Sequence, residues 1–110
     1  QVIALKSSGA DVLVNFAAPK FAAQVIRRTA EMGWKPVHYL NVTANSIKSV
    51  LEVAGLNHSV GLISAAYYKD PSDPRWLGTA ELKAYLDFMR KHMPQADVND
   101  VFHVAGYCNA

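Results

Sequence analysis

Apolar residues fall in short runs, and the spacing inside the runs switches between strand and helix periods. Val2, Ile3 and Leu5 read as the last turns of a helix, with Gly9 placed for a left-handed stop. Asp11-Val12-Leu13-Val14-Asn15-Phe16 is rich in β-branched residues and predicts a buried strand. Pro19 suits a first helical position. Phe21, Ala22, Val25, Ile26 and Ala30 then recur at helical spacing, with Gln24, Arg27, Arg28 and Glu31 between them, until Gly33. Pro36 to Leu40 predicts a second strand. Asn45 or Ser46 caps a helix whose stripe is Ile47, Val50, Leu51 and Ala54, stopped by Gly55. Gly61 to Tyr68 predicts a third strand.

Strand–helix–strand–helix–strand with short links implies right-handed crossovers and a parallel α/β sheet. The pattern changes at Lys69-Asp70-Pro71-Ser72-Asp73-Pro74, where two prolines predict an extended, non-helical connection. Thr79 caps an amphipathic helix with Leu82, Tyr85, Leu86 and Met89, ending near His92 and Pro94. Asp97 or Asp100 opens a last helix carrying Val101, Val104, Ala105 and Cys108. Fold class is thus α/β: a βαβαβ unit followed by two helices.

Ligands of open parallel sheets bind at the carboxyl ends of the strands. Two strand-to-helix junctions stand there: Asn15-Phe16-Ala17-Ala18-Pro19 and Leu40-Asn41-Val42-Thr43-Ala44-Asn45-Ser46. Both are built of small, amide and hydroxyl residues, and helix-start amides can hold a carboxylate without a cationic side chain. They predict a cleft that receives a small molecule.

Composition narrows the classes. The 110 residues allow one modest domain or part of a larger one, and 51% hydrophobic with 18% charged residues excludes a disordered chain. The net charge is +2, and the basic clusters Arg27-Arg28 and Arg90-Lys91-His92 sit at helix C-termini, so nucleic-acid binding is not expected. Cys108 has no disulfide partner and no nucleophile context, so a buried inert thiol is the default. His38, His58, His92 and His103 show no metal-ligand spacing; structural or surface roles are expected, with His103 of interest beside Phe102. No P-loop, G-x-G-x-x-G or nucleophile-elbow pattern occurs, so neither catalysis nor a cofactor is expected. Both ends interrupt a pattern, and the expectation is an internal piece of a longer protein.

Leu5-Lys6-Ser7-Ser8-Gly9-Ala10-Asp11-Val12-Leu13-Val14, Ala30-Glu31-Met32-Gly33-Trp34-Lys35-Pro36 and Gly61-Leu62-Ile63-Ser64-Ala65-Ala66-Tyr67-Tyr68-Lys69-Asp70-Pro71 carry a resemblance. In order and spacing the chain resembles the periplasmic substrate-binding proteins of bacterial ABC importers, in the branched-chain amino acid (Leu/Ile/Val-binding) group. The resemblance covers essentially the whole chain. It implies a type I periplasmic-binding-protein fold of two lobes closing on a ligand, with an ABC permease as partner. Residues 1–68 would belong to the second lobe, 69–75 to a hinge or crossover, and 76–110 to helices of the first lobe.

The resemblance also implies ligand contacts near Ala17 and Ala18, at Val42 or Thr43, and at Phe102. Amino acid binders often have an aromatic residue at the first place and a carboxylate for the ligand ammonium at the second; this chain has neither. A buried ammonium without a counter-charge is costly. The departure favours a carboxylate ligand lacking an ammonium, an aromatic or other organic acid, with Phe102 and Tyr67 suited to a ring. Branched-chain amino acid binding and a ligand-sensing receptor domain of the same fold are the alternatives, and a small α/β enzyme is the remaining one. Asn41 and Thr43 serve either ligand or loop and cap. Tyr67 and Tyr68 alternate sides of a strand, and which faces the cleft stays open. Exposed sheet edges predict self-association of the piece, as a dimer or by exchanged segments.

Overall fold

The computed structural model describes all residues, Gln1–Ala110. The chain divides into two compact units, Gln1–Ala66 and Tyr67–Ala110.

In the first unit a short helix α1 (Val2–Ser7) leads to β1 (Val12–Asn15), α2 (Pro19–Glu31) and β2 (Val37–Leu40). A 3-10 turn (Val42–Ala44) and a π turn (Ile47–Leu51) follow, the latter running into α3 (Glu52–Ala54). A further 3-10 turn (Leu56–His58) precedes β3 (Ile63–Ser64). The strands form a parallel sheet in the order β1-β2-β3, with Leu13 opposite His38, Asn15 opposite Leu40 and Tyr39 opposite Ile63. Alternation in β1 and β2 buries Leu13, Asn15, His38 and Leu40. Leu40, Ala22, Ala23, Ile26, Ala44, Val50 and Ala54 make one core cluster. The other sheet face carries Val12, Val14, Val37, Tyr39 and Ile63, all exposed.

Several sequence expectations change. The third strand is two residues long, not eight. Its only partner is β2, which turns away after Leu40, and Gly61 enters with φ 86° while the Leu62 amide closes a turn onto the Ser59 carbonyl. The buried arc of α2 is Ala22, Ala23, Ile26 and Thr29, and Phe21 is 58% exposed. The alanines pack with Leu40, Ala44, Val50 and Ala54, and the Thr29 hydroxyl is satisfied by donating to the Val25 carbonyl at 2.7 Å. The helix predicted after Ser46 opens as a π turn, and Ile47 is exposed. Residues 69–74 are turn-rich rather than extended: the Asp70 carboxylate takes both the Ser72 amide (2.8 Å) and its hydroxyl (2.6 Å).

The second unit holds a 3-10 turn (Pro74–Trp76), α4 (Ala80–His92) and α5 (Val101–Asn109). Its core is Tyr85, Met89 and Val104, with Tyr68, Leu82, Leu86 and Tyr107 packed against them. Thr79 caps α4 and Asp100 caps α5, so the second of the two candidate aspartates starts the last helix. Cys108 is exposed rather than buried: it shares the face of Val104 one turn on, where α5 borders a cavity instead of core.

Gly55 closes α3 at φ 101°, and a Cβ there would lie 3.0 Å from His58 Nδ1. That nitrogen is 2.9 Å from the Ala54 carbonyl. Gly55→Ala is expected to cost about 1–3 kcal/mol, from backbone strain and loss of the His58 contact. A urea midpoint that falls with an unchanged slope is the check.

Candidate functional site

The carboxyl end of the first unit's sheet is organised by Asn15. As the last inward position of β1, it is buried below two junctions at once. Its side-chain oxygen accepts the Ala17 amide at 3.1 Å. Its backbone carbonyl accepts the Asn41 amide at 3.0 Å. Its side-chain nitrogen lies 3.4 Å from His38 Nε2. Ala17 and Asn41, nominated from separate stretches of sequence, are therefore fixed to one residue.

At the second junction the Asn41 side-chain nitrogen donates to the Thr43 hydroxyl oxygen at 2.9 Å. That bond fixes the oxygen as acceptor and leaves the hydroxyl proton able to donate. Thr43 is exposed and Val42 half-buried. Of the two candidate caps, Ser46 acts: its hydroxyl accepts the Ser49 amide at 3.1 Å and its carbonyl receives the Val50 and Leu51 amides. Asn45 instead donates to the Ala65 carbonyl at 2.7 Å, and Ser64 Oγ donates to the Leu40 carbonyl at 2.8 Å, tying this junction to the exit of β3.

At the first junction Ala17 is half-buried against the core and Ala18 is exposed. Ala18 precedes α2 with extended backbone, and Pro19 begins the helix. No side chain caps this start. A shallow cavity lined by Val2, Ile3, Ala17, Phe21 and Val25 borders it. A separate cavity of about 340 Å³ lies towards the amino ends of β2 and β3, lined by Thr29, Trp34, Lys35, His38, Asn57 and His58 among others.

The other two nominated residues belong to the second unit. Tyr67 is 76% exposed, and its ring meets Tyr68 edge-on at 6.1 Å. It lines a largely apolar cavity of about 220 Å³ with Tyr68, Trp76, Leu82, Tyr107 and Cys108. Phe102 stands in the first turn of α5, 38% exposed, its amide taken by the Asp100 carboxylate at 3.1 Å. It is not part of that cavity's wall. His103, flagged by its neighbour Phe102, is engaged locally, with Nδ1 2.8 Å from the Asp97 carbonyl.

Sequence reasoning named Asn15 only as the start of the first junction and gave His38 a structural or surface role. The available signal was two polar residues at inward positions of otherwise apolar strands. Burial lowers the His38 pKa from 6.5, so the imidazole is neutral at pH 7. No group of three or more His, Cys, Asp or Glu side chains stands together as a metal site. No helix is long and apolar enough to cross a membrane.

A family model described as a periplasmic binding protein matches residues 1–110. No curated protein matches the chain, and no solved structure does.

Proposed function

The chain belongs to the periplasmic binding protein family, and on that premise we propose that it captures a small carboxylate in the periplasm for delivery to an ABC permease. Lobe closure around the ligand, rather than catalysis, is the mechanism of this reading. The observation that carries it is the pair of junctions that Asn15 fixes at the carboxyl end of the parallel sheet. Ligands of parallel sheets bind there. Ala17 and Ala18 bring no bulk, and the Thr43 hydroxyl keeps a proton to donate.

The ligand is an organic acid, aromatic in preference, rather than a free amino acid. None of Ala17, Ala18, Asn41, Val42 or Thr43 supplies a carboxylate for an ammonium. Phe102 and Tyr67, both exposed, supply aromatic surface.

A thermal-shift screen of the intact protein tests this with benzoate, octanoate and leucine. At about 100 times its dissociation constant, a bound ligand stabilises by about 2.7 kcal/mol. Benzoate or octanoate is expected to raise the melting temperature and leucine to leave it unchanged. A response to leucine alone would overturn the ligand assignment. Thr43→Glu is expected to weaken the responding acid by about tenfold or more, through repulsion between carboxylates. The same variant should gain affinity for leucine, whose ammonium would then have a partner. Isothermal titration of both ligands against both proteins reads this exchange.

A further inference from the structure

The Ala17 backbone N–H can only donate, so the Asn15 atom facing it at 3.1 Å is the side-chain oxygen. The Asn15 nitrogen is thereby turned to His38 Nε2, at 3.4 Å. An amide NH₂ can only donate as well, so Nε2 must accept. His38 is then neutral with its proton on Nδ1. Both side chains are buried, His38 at the wall of the cavity it shares with Lys35 and His58. Protonating His38 would put N–H against N–H and reverse the requirement on Asn15.

We propose that Asn15 is a positioning residue whose grip on the Ala17 amide depends on a neutral His38, so that acid loosens the β1–α2 junction. Its consequence for ligand rests on the binding reading above; the relay itself does not. When His38 takes a proton, the amide of Asn15 must rotate its oxygen towards the imidazolium. Ala17 then loses its acceptor, and the junction loses the bond that sets its path out of β1. The Asn41 amide keeps its bond, because that acceptor is the Asn15 backbone carbonyl. The two junctions are thus separable: one responds to pH and the other does not.

The groups around His38 leave it the only titrating member of this relay. Lys35 and His58 share its cavity. β1 and β3 carry no ionisable side chain, and on α2 the side chains of Lys20, Arg27, Arg28 and Glu31 are exposed. Lys48 and Glu52, across the core, pair with each other at 3.1 Å. The sign follows from burial: the folded pKa lies below 6.5, so the unfolded chain binds the proton first. The contribution of neutral His38 to stability is complete above 6.5, is lost as pH falls below it, and stops changing below the folded pKa.

NMR of the 110-residue chain tests the relay without any ligand. The Ala17 amide shift is expected to follow the His38 ring titration with the same midpoint, below 6.5. The Ala17 exchange protection factor should fall about fivefold across it, as for one lost hydrogen bond. His38→Gln keeps an acceptor that does not titrate, so the Ala17 signal should become flat with pH. His58→Gln should leave the Ala17 titration in place. Asn15→Asp gives an acceptor for both Ala17 and the imidazolium, so the His38 midpoint should rise and Ala17 should stay protected in acid. An Ala17 amide flat through the His38 titration overturns the proposal. So does one that titrates equally in His38→Gln, or a His38 midpoint that falls in Asn15→Asp. These readouts are independent of benzoate or leucine binding, so failure of the relay and failure of the ligand assignment are told apart.

Discussion

Ile26→Ala is expected to remove about 2–5 kcal/mol of stability, near the upper end of that range. Ile26 is 1% exposed and faces a cluster built largely of alanine: Ala22, Ala23, Ala44 and Ala54, with Leu40 and Val50. Removing a large side chain costs transfer free energy plus a cavity term that shrinks when neighbours move in. Alanines have no rotamers with which to refill the hole. Alanine's better helix propensity returns only a few tenths of a kcal/mol. Ile26→Val, which leaves a smaller hole, should cost about 0.5–1.5 kcal/mol. Phe21→Ala is the decisive contrast, because it removes a larger side chain from the same helix. Phe21 is 58% exposed, so its loss should be much smaller than that of Ile26. Urea midpoints of the three variants rank the positions. Equal losses at Phe21 and Ile26 would contradict the buried arc of α2.

That contrast also marks how far the sequence could be read. The period of α2 was legible, and so was its start at Pro19, because both are local. Which side of the arc faces the sheet was not. Phe21 fits an apolar stripe as well as Ala23 does, but it is small residues that line the core α2 shares with Leu40, Ala44, Val50 and Ala54. The cap at Thr79 was legible outright, and those at Ser46 and Asp100 each as one of two candidates, because a hydroxyl or carboxylate can take the free amides of a helix start. The length of β3 was hidden, since a strand extends only as far as its partner, and β2 ends at Leu40.

The two junctions were legible as strand ends, and their wiring was not. The junctions followed from the general place of ligands in parallel sheets, and Ala17 and Thr43 within them from the family resemblance. Asn15 and His38 are separated by 23 residues, and only the register pairing Leu13 with His38 brings them to adjacent inward positions. That register is a tertiary fact, as is the burial that lowers the His38 pKa. Polar residues on the buried face of a strand were the trace left in the sequence. They cost stability unless partnered, and here each is partnered.

In the second unit the largest loss is expected at Tyr85. Its ring is 3% exposed and meets Tyr107 edge-on, with centroids 5.5 Å apart. Its hydroxyl donates to the Val98 carbonyl at 3.0 Å, pinning the link between α4 and α5. Tyr85→Ala should cost about 3–5 kcal/mol, as other buried aromatic truncations do. Tyr85→Phe keeps the packing and the ring pair and loses only the hydrogen bond, for about 1 kcal/mol. Alkali separates the two contributions. Burial, then the charges of Asp100 and Asp97, raise the phenol pKa above 10.0. The unfolded chain therefore releases this proton first. Stability from the neutral phenol is complete below 10.0 and is lost as pH rises through the folded pKa. Tyr85→Phe should remove that part of the alkaline decline while leaving the packing loss of Tyr85→Ala untouched. Denaturant midpoints of the parent and both variants, followed from neutral pH into alkali, read the two contributions separately. An alkaline decline that is the same in Tyr85→Phe as in the parent would assign it to other groups.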